Sequence, residues 1–474
     1  MDFIILHNTR KAIGLLLLVV FLTACSSSVG ESPTPTVKRD SEKPQLTSTL
    51  TERPQATNES VNEIPTNGTP NQTPPPYQTS VLYGYTFHRP DGNRFVQGSG
   101  SIPGAQTVDI PLDGKPEWLV AAPAPGGSVW VVILQDGRVM AFHVSGDGYR
   151  QVDISPEQVP PGMPPLLQVK EDVPSLVLAP GADASPLTHP VVLREDPERI
   201  VYLANNGDLV IWDGDESARL TVNALPDARI LVDERQRLLL LTDPTGRYDH
   251  GVLGDDIEAG SITLVETQPV PKVVQKIIID PPSVIEGIAP MWVDFTGDGM
   301  REIIVTRSDV NQGAQTVVFN EDGGEVAAGP SIGLGYRWRN QLAVAPFGPH
   351  GELEFVDVLT PHISGVVEFY RLLGNRLEIL AQQPGFTSHV IGTRNLDMAL
   401  AGDFDGDGQV EVLLPSQDRL ELGVISHTLD GAQVAWSLPV GGIVSTNLTA
   451  VSFPGGSIAV GVGREDGVLR VWVP

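Results

Sequence analysis

LAGDFDGDGQVEVLL, residues 400–414, joins two short apolar runs through an acidic, glycine-rich turn. Two further stretches align with it on a shared phenylalanine, WVDFTGDGMREIIV (292–305) and VAPFGPHGELEFVDV (344–358). The aligned residues Phe295, Phe347 and Phe404 are 52 and 57 residues apart. A repeat of this length, with several short strands in each unit, is typical of a β-propeller blade rather than of a solenoid coil.

The chain beyond residue 80 continues this pattern of short strands and tight turns. Apolar runs with period-two alternation are separated by turns such as Asp136-Gly137 and Asn206-Gly207, which indicate β-hairpins. Less regular relatives of the repeat occupy 117–153, 188–222, 228–266 and 446–474. A period of about 55 residues predicts an all-β propeller domain over 81–474 with about seven four-stranded blades. We expect the ring to close by pairing of the terminal strands, with residues 81–88 beside 467–473.

Composition supports this fold and limits the partners of the domain. The 49 Gly and 41 Pro are more than an average chain carries and favour many turns over a helical bundle. The net charge is −27, from 58 acidic and 31 basic residues. An anion of this size is repelled by phosphate backbones, so no nucleic-acid partner is expected. The single Cys excludes a disulfide framework.

The N-terminus carries the features of a secretory signal and a spacer. Basic residues precede a short apolar run, and the run ends at the sequence LTAC, residues 22–25. This tetrapeptide resembles the lipobox of bacterial lipoproteins, which implies a signal peptide over 1–24 and lipidation of Cys25. Residues 25–80 are rich in Ser, Thr and Pro and predict a disordered tether. The resemblance implies an extracytoplasmic protein anchored to the cell membrane or outer membrane; the alternative is an ordinary signal peptide with a chance Cys.

The acidic turn at 403–411 has the residue types that bind a hard cation. Asp403, Asp405 and Asp407 repel one another unless a cation neutralises them, and oxygen ligands in this number favour Ca²⁺. Glu411 adds a fourth carboxylate, and Gln409 can offer its backbone carbonyl. An EF-hand is excluded because its twelfth position, which needs a bidentate Glu, is Leu414 here.

This turn resembles the calcium-binding repeat of FG-GAP (VCBS-type, integrin-α-like) propellers, and the resemblance extends over residues 285–440. It implies Ca²⁺ as the cofactor and places the ion in a hairpin between two strands of a blade. The second copy matches less well, since Thr296 replaces one carboxylate; it predicts a weaker site at Asp294, Thr296, Asp298, Met300 and Glu302. The third copy lacks the aspartates and predicts a blade without metal. The alternative is that these are acidic Asp-Gly turns that bind no ion.

No arrangement of catalytic residues is evident in the sequence. Residues 329–333 match G-x-S-x-G, but no helical pattern follows, so we interpret them as a turn. The histidines are scattered, and we interpret His250, His350, His362, His389 and His427 as surface or packing residues. We therefore expect a recognition or adhesion module with a protein or glycan ligand, and not an enzyme.

Two other functions stay open. Residues 201–212 and 467–472 resemble quinoprotein-like or WD-like blades, which implies an envelope assembly scaffold. A secreted propeller hydrolase or lyase is the second alternative, and carboxylates or histidines clustered about the central channel would favour it.

Overall fold

The computed structural model describes residues 81–194, 198–214 and 217–474. The predicted signal peptide, Cys25 and tether lie outside these residues. Within them the chain forms 33 strands and one short 3₁₀ helix, Ile102–Gly104. The first half, in chain order, comprises β1 (Leu82–Gly84), β2 (Phe95–Ser99), β3 (Gln106–Pro111), β4 (Pro116–Ala124), β5 (Gly127–Leu134), β6 (Val139–Ser145), β7 (Gly148–Val152), β8 (Leu167–Lys170), β9 (Val173–Leu176), β10 (Val191–Leu193), β11 (Arg199–Leu203), β12 (Asp208–Trp212), β13 (Ser217–Thr221), β14 (Leu231–Val232), β15 (Leu238–Thr245) and β16 (Glu258–Glu266).

The second half comprises β17 (Lys272–Ile278), β18 (Val284–Ile285), β19 (Met291–Val293), β20 (Glu302–Asp309), β21 (Gly313–Asn320), β22 (Glu325–Ala328), β23 (Arg339–Ala345), β24 (Glu354–Leu359), β25 (Val366–Leu373), β26 (Arg376–Pro384), β27 (Leu400–Asp403), β28 (Glu411–Pro415), β29 (Glu421–Thr428), β30 (Gly431–Pro439), β31 (Thr449–Ser452), β32 (Ile458–Arg464) and β33 (Val468–Val473). The prediction of an all-β chain is confirmed.

These strands form seven four-stranded antiparallel blades, which confirms the predicted β-propeller. The blades are I (β4–β7), II (β10–β13), III (β14–β17), IV (β19–β22), V (β23–β26), VI (β27–β30) and VII (β31–β33 with β3). A three-stranded sheet, β1-β8-β9, lies between blades I and II in chain order. Short bridging pairs connect blades III, IV and V into one continuous ladder.

Ring closure uses a different N-terminal segment from the predicted one. The last strand, β33, pairs antiparallel with β3, so that Gln106 lies opposite Val473 and Pro111 opposite Val468. The predicted pairing of residues 81–88 with this strand is wrong, because β1 pairs with β8. Residues 81–88 and β3 both alternate apolar and polar residues, so the hydrophobic period alone does not show which of them pairs with β33.

Residues 85–105, here called the inner strap, run along the first strands of successive blades. The carbonyls of Pro90 and Asp91 accept the backbone N–H groups of Val232 in blade III and Trp292 in blade IV, at 2.9 and 3.0 Å. Arg94 O accepts the N–H of blade VI's Ala401 at 3.0 Å, and β2 continues parallel to β27. The strap therefore fills the inner side of the ring before β3 joins the outer edge of blade VII.

The hydrophobic core lies between neighbouring blades, and the repeated phenylalanine explains part of it. Phe295, Phe347 and Phe404 are buried, and each packs in a cluster with residues of the blade that follows its own. Burial of one such side chain contributes about 1.5–3 kcal/mol. The hairpin between the first two strands of blades IV, V and VI is thus fixed by its phenylalanine.

Candidate functional site

The 403 loop (residues 403–411) connects the first two strands of blade VI. One carboxylate oxygen each from Asp403, Asp405 and Glu411 lie within 4.8 Å of one another. Gly406 and Gly408 have φ angles of 87° and 88°, a region that glycine adopts without strain. The loop thus directs three carboxylates to one point, which is the ligand chemistry that Ca²⁺ prefers.

The remaining predicted ligands of this loop have other partners. Asp407 accepts the backbone N–H of Gln409 at 2.8 Å and is outside the group of three carboxylates. Asp405 accepts the N–H of Asp407 at 3.1 Å and the indole N–H of Trp436 at 3.0 Å. The structure therefore brings together the carboxylates of three of the five residues predicted for this site.

Glu411 is the buried acid of the loop. Its side chain is buried, and its pKa is raised to about 8, chiefly by burial and then by the charges of Asp405, Asp407 and Asp403. One backbone N–H, from Phe404, donates to it at 3.1 Å. A cation at this point would neutralise the mutual repulsion of these carboxylates, so the residues fit a calcium ion.

The 294 loop (residues 294–302) has the same backbone course but satisfies its acids internally. Thr296 donates its hydroxyl to Glu302 at 3.2 Å, and the N–H groups of Phe295 and Thr296 donate to the same carboxylate at 2.8 and 3.0 Å. Asp294 accepts three backbone N–H groups of the turn. Asp298 caps the N–H of Met300, whose side chain is exposed. Among the described residues of this loop, no three carboxylates come together, and the weaker calcium site predicted here stays a prediction.

In the 346 loop (residues 346–354), an arginine pairs with the aligned glutamate of the repeat. Glu354, which aligns with Glu411, is fully buried, and the Arg371 guanidinium donates to it at 2.6 Å. The second oxygen of Glu354 lies 2.7 Å from His427 Nδ1 of blade VI. Arg371 also pairs with Glu352 at 3.2 Å. The three aligned glutamates thus have different partners. Glu354 pairs with a guanidinium, Glu302 accepts from a hydroxyl and backbone amides, and Glu411 lies beside aspartates.

At the other end of the blades lies a cluster of aromatic rings, histidines and carboxylates. The loops there connect second to third strands and one blade to the next, because the strands of each blade are antiparallel. We call this end the channel mouth and the group the mouth cluster. Its members are Tyr248, His250, Glu286, Tyr336, Trp338, His362 and His389.

His250 and Glu286 form a dyad within the mouth cluster. His250 Nδ1 lies 2.5 Å from Glu286 Oε1, and the Ser308 hydroxyl donates to the other oxygen at 2.5 Å. Burial raises the pKa of Glu286, and also that of the neighbouring Glu258. A carboxylate that holds an imidazole at Nδ1 is the pairing that orients a histidine general base in catalytic sites.

The two other histidines of the mouth cluster contact each other. His362 Nε2 lies 2.6 Å from His389 Nδ1, and Trp338 stacks on His362 with ring centroids 6.1 Å apart. Burial lowers the pKa of His362 to about 4 and that of His389 to about 3. Both are therefore neutral at pH 7.

A buried ion triad occupies the centre of the ring. Asp397 pairs with Arg94 of the inner strap at 2.8 Å and with Arg229 at 2.6 Å. The pKa of Asp397 is held at about 2; burial opposes this shift, and the two guanidinium groups outweigh it. The cavity that remains beside these arginines measures only about 20 Å³. The inner strap and this triad therefore pack against the first strands of blades III to VI.

A larger pocket, of about 260 Å³, opens at the channel mouth beside blades I, VI and VII. Lys115 and Arg419 line it and share one oxygen of Glu465 at 3.4 and 3.3 Å. Glu117 also lines it, and burial raises the pKa of that carboxyl. The pocket combines both charge signs and suits a small polar ligand.

Sequence reasoning missed the mouth cluster and the inner strap. His250, His362 and His389 come from three different loops, and their separation in the chain gives no spacing motif. The strap has no repeat, and its turn-rich sequence resembles any surface loop. The residues of the G-x-S-x-G match lie between β22 and β23 with no helix after them, as expected.

Comparisons with known proteins add no family assignment. No protein-family model and no curated protein sequence matches the chain. Among solved structures, a europium-containing methanol dehydrogenase is similar with a TM-score of 0.49 and 8% identity, covering 80% of this chain and 89% of that one. BBS1N in a complex with ARL6DN gives 0.43 and 10%, covering 81% and 97%. A chain of the mitotic checkpoint complex gives 0.39 and 11%, covering 77% and 93%.

Proposed function

We propose that this chain is a lipid-anchored, extracytoplasmic recognition or adhesion module, built on a β-propeller that Ca²⁺ stabilises at blade VI. The observation that carries the calcium assignment is the convergence of Asp403, Asp405 and Glu411. The aligned Glu354 of blade V instead pairs with the Arg371 guanidinium. The ion would hold the hairpin in place and take no part in chemistry.

The anchor rests on sequence alone. The apolar run that ends at Cys25 has the length of a signal sequence rather than of a membrane span. Among the residues that the structure describes, none belongs to a helix long and apolar enough to cross a membrane.

The channel mouth is the surface that we assign to recognition. The inner strap and the ion triad lie against the first strands of blades III to VI, so a partner would meet the loops of the mouth first. Loops held by a rigid scaffold are the usual place for binding residues. The charge of the domain favours a neutral or cationic partner.

A ligand screen with the full chain in lipid nanodiscs tests this function. The chain is exposed to arrays of cell-wall glycans and extracellular proteins, with Ca²⁺ or with a chelator, and empty nanodiscs serve as the blank. We expect saturable binding that Ca²⁺ strengthens. Silence on every array would favour the envelope-scaffold alternative.

A hydrolase is a second candidate, and the His250–Glu286 dyad favours it. Histidines and carboxylates do cluster at the channel mouth, which is the arrangement that a propeller enzyme needs. In that case His250 would act as the general base toward water and Glu286 would orient it. A hydrolase panel with the wild type and His250→Gln decides between the two: turnover that this substitution abolishes would establish the enzyme.

A further inference from the structure

Several large aliphatic and aromatic side chains are exposed together at the channel mouth over blades III to VI. Leu334, Ile363 and Ile391 are 55%, 61% and 62% exposed. We call the set the apolar arc, and its members are Ile257, Val310, Leu334, Tyr336, Ile363 and Ile391. Exposed apolar residues that form one patch, rather than lying singly, mark interaction sites on soluble domains.

The loops that carry the arc contact one another, so the arc is one surface. Gly313 and Gly335 pack against the backbone of Leu334 and Val310, where an added Cβ would meet the carbonyl oxygens at 2.0 and 2.3 Å. The Tyr336 ring stacks on Tyr248 with centroids 5.3 Å apart. These contacts join the blade III and blade IV sides of the arc.

The mouth cluster continues the surface across blades V and VI. Ile363 directly follows His362, which contacts His389, and Ile391 lies two residues beyond His389. The N–H of Gly392 donates to Val252 O at 2.8 Å, which ties the blade VI loop to the loop that carries Ile257.

The charged groups around the arc are mainly acidic. Asp249, Asp256 and Asp280 are exposed on or beside its loops. The Arg394 guanidinium on the blade VI loop is engaged by Asp227 at 2.8 Å and by Asp255 at 2.5 Å. Arg247 and Arg337 also lie on these loops, where they donate to backbone carbonyls, but acidic groups outnumber basic ones, so a partner with complementary charge is basic.

We propose that the apolar arc is the docking surface for a basic polypeptide that presents aliphatic side chains between lysines or arginines. This inference rests on the proposed recognition function and names the surface and the chemistry of its protein partner. Aliphatic side chains of the partner would cover Ile363 and Ile391, and its cations would face the acidic rim.

The probe is a fluorescent synthetic peptide of alternating leucine and lysine, and a leucine–glutamate peptide is its control. Binding to the full chain in nanodiscs is followed by fluorescence anisotropy. We expect the lysine peptide to bind and the glutamate peptide not to bind. The double variant Ile363→Asp/Ile391→Asp should weaken binding about tenfold or more, because it places charges where aliphatic contacts form.

This double variant separates docking from plain charge attraction. Added aspartates attract a cationic peptide, so attraction alone predicts equal or tighter binding, and that result would overturn the proposal. Leu429→Asp is the matched control, since Leu429 is 79% exposed on the hairpin at the opposite end of blade VI. It should leave the affinity unchanged, and an equal loss there would also overturn the proposal.

Two further outcomes are decisive. Failure of the wild type to bind the lysine peptide, or equal binding of the glutamate peptide, would overturn the chemistry assigned to the partner. A ligand from the array screen that binds the double variant with wild-type affinity would remove the arc as its surface and leave the recognition function standing. Ile363→Ser/Ile391→Ser serves as the variant if the aspartates prevent folding, and matching melting temperatures verify the fold.

Discussion

Calcium should stabilise this domain through the 403 loop. Extracellular modules bind Ca²⁺ with a Kd of about 10⁻⁴ to 10⁻³ M, so 10 mM Ca²⁺ is about 10 to 100 times Kd. The ion then stabilises the folded state by about 1.4 to 2.7 kcal/mol. The unfolding entropy of a domain of roughly 390 residues is about 0.8 kcal/mol/K, so the melting temperature should rise by about 2 to 3 °C.

Two substitutions localise the effect. Asp405→Asn keeps an oxygen for the Trp436 indole N–H but removes a ligand charge, so it should abolish most of the shift. Thr296→Asp restores the missing carboxylate of the 294 loop beside Glu302 and should add a second calcium-dependent increment. Differential scanning calorimetry in 10 mM Ca²⁺ and in chelator measures both.

The Trp436 indole gives an independent readout, because it bonds directly to Asp405 and its fluorescence should respond to the ion. The Trp436→Phe variant should lose that response and keep most of the thermal shift. Identical melting curves with Ca²⁺ and with chelator would refute the calcium site and leave only acidic turns.

Further predictions concern the pairing in blade V, acid stability and the anchor. Arg371→Ala should lower the free energy of unfolding by about 3 kcal/mol, because it removes the guanidinium from the buried Glu354 and leaves His427 as that side chain's remaining partner. Arg376→Ala on the exposed surface should change it by about 1 kcal/mol or less in urea titrations. Burial lowers the pKa of His189 to about 4, so the unfolded state takes up a proton at this residue first as the pH falls below 6.5. The contribution of His189 to the free energy of unfolding is complete above that pH and is smaller by about 2 kcal/mol at pH 5. The His189→Gln variant should therefore show a flatter dependence of stability on pH. Cys25→Ser should release the chain from the membrane fraction, and unchanged partitioning would contradict the lipobox assignment.

The sequence predicted the blades well where the repeat is regular. Phe295, Phe347 and Phe404 marked three consecutive blades because each phenylalanine must reach the core of the next blade, which fixes its position relative to the strands. The turns at Gly137 and Gly207 were predicted for the same kind of reason, since both residues adopt positive φ angles in their hairpins.

The parts that were not predicted depend on long-range pairing. The sequence patterns of β1 and β3 do not show which of the two pairs with the last strand of the chain. In the structure β1 pairs with β8, and β3, which follows the inner strap, pairs with β33 and closes the ring. The different surroundings of Glu354 and Glu411 were also not predicted. Arg371, which pairs with Glu354, comes from the third strand of blade V and belongs to no local sequence motif.

A paired assay of binding and turnover on the full chain in nanodiscs distinguishes a recognition module from an enzyme. Glycan and protein arrays and a panel of hydrolase substrates are run in parallel, each with Ca²⁺ and with chelator. We expect calcium-strengthened, saturable binding to at least one array member and no turnover above the empty-nanodisc blank. Turnover that His250→Gln abolishes would contradict this expectation and identify the protein as an enzyme.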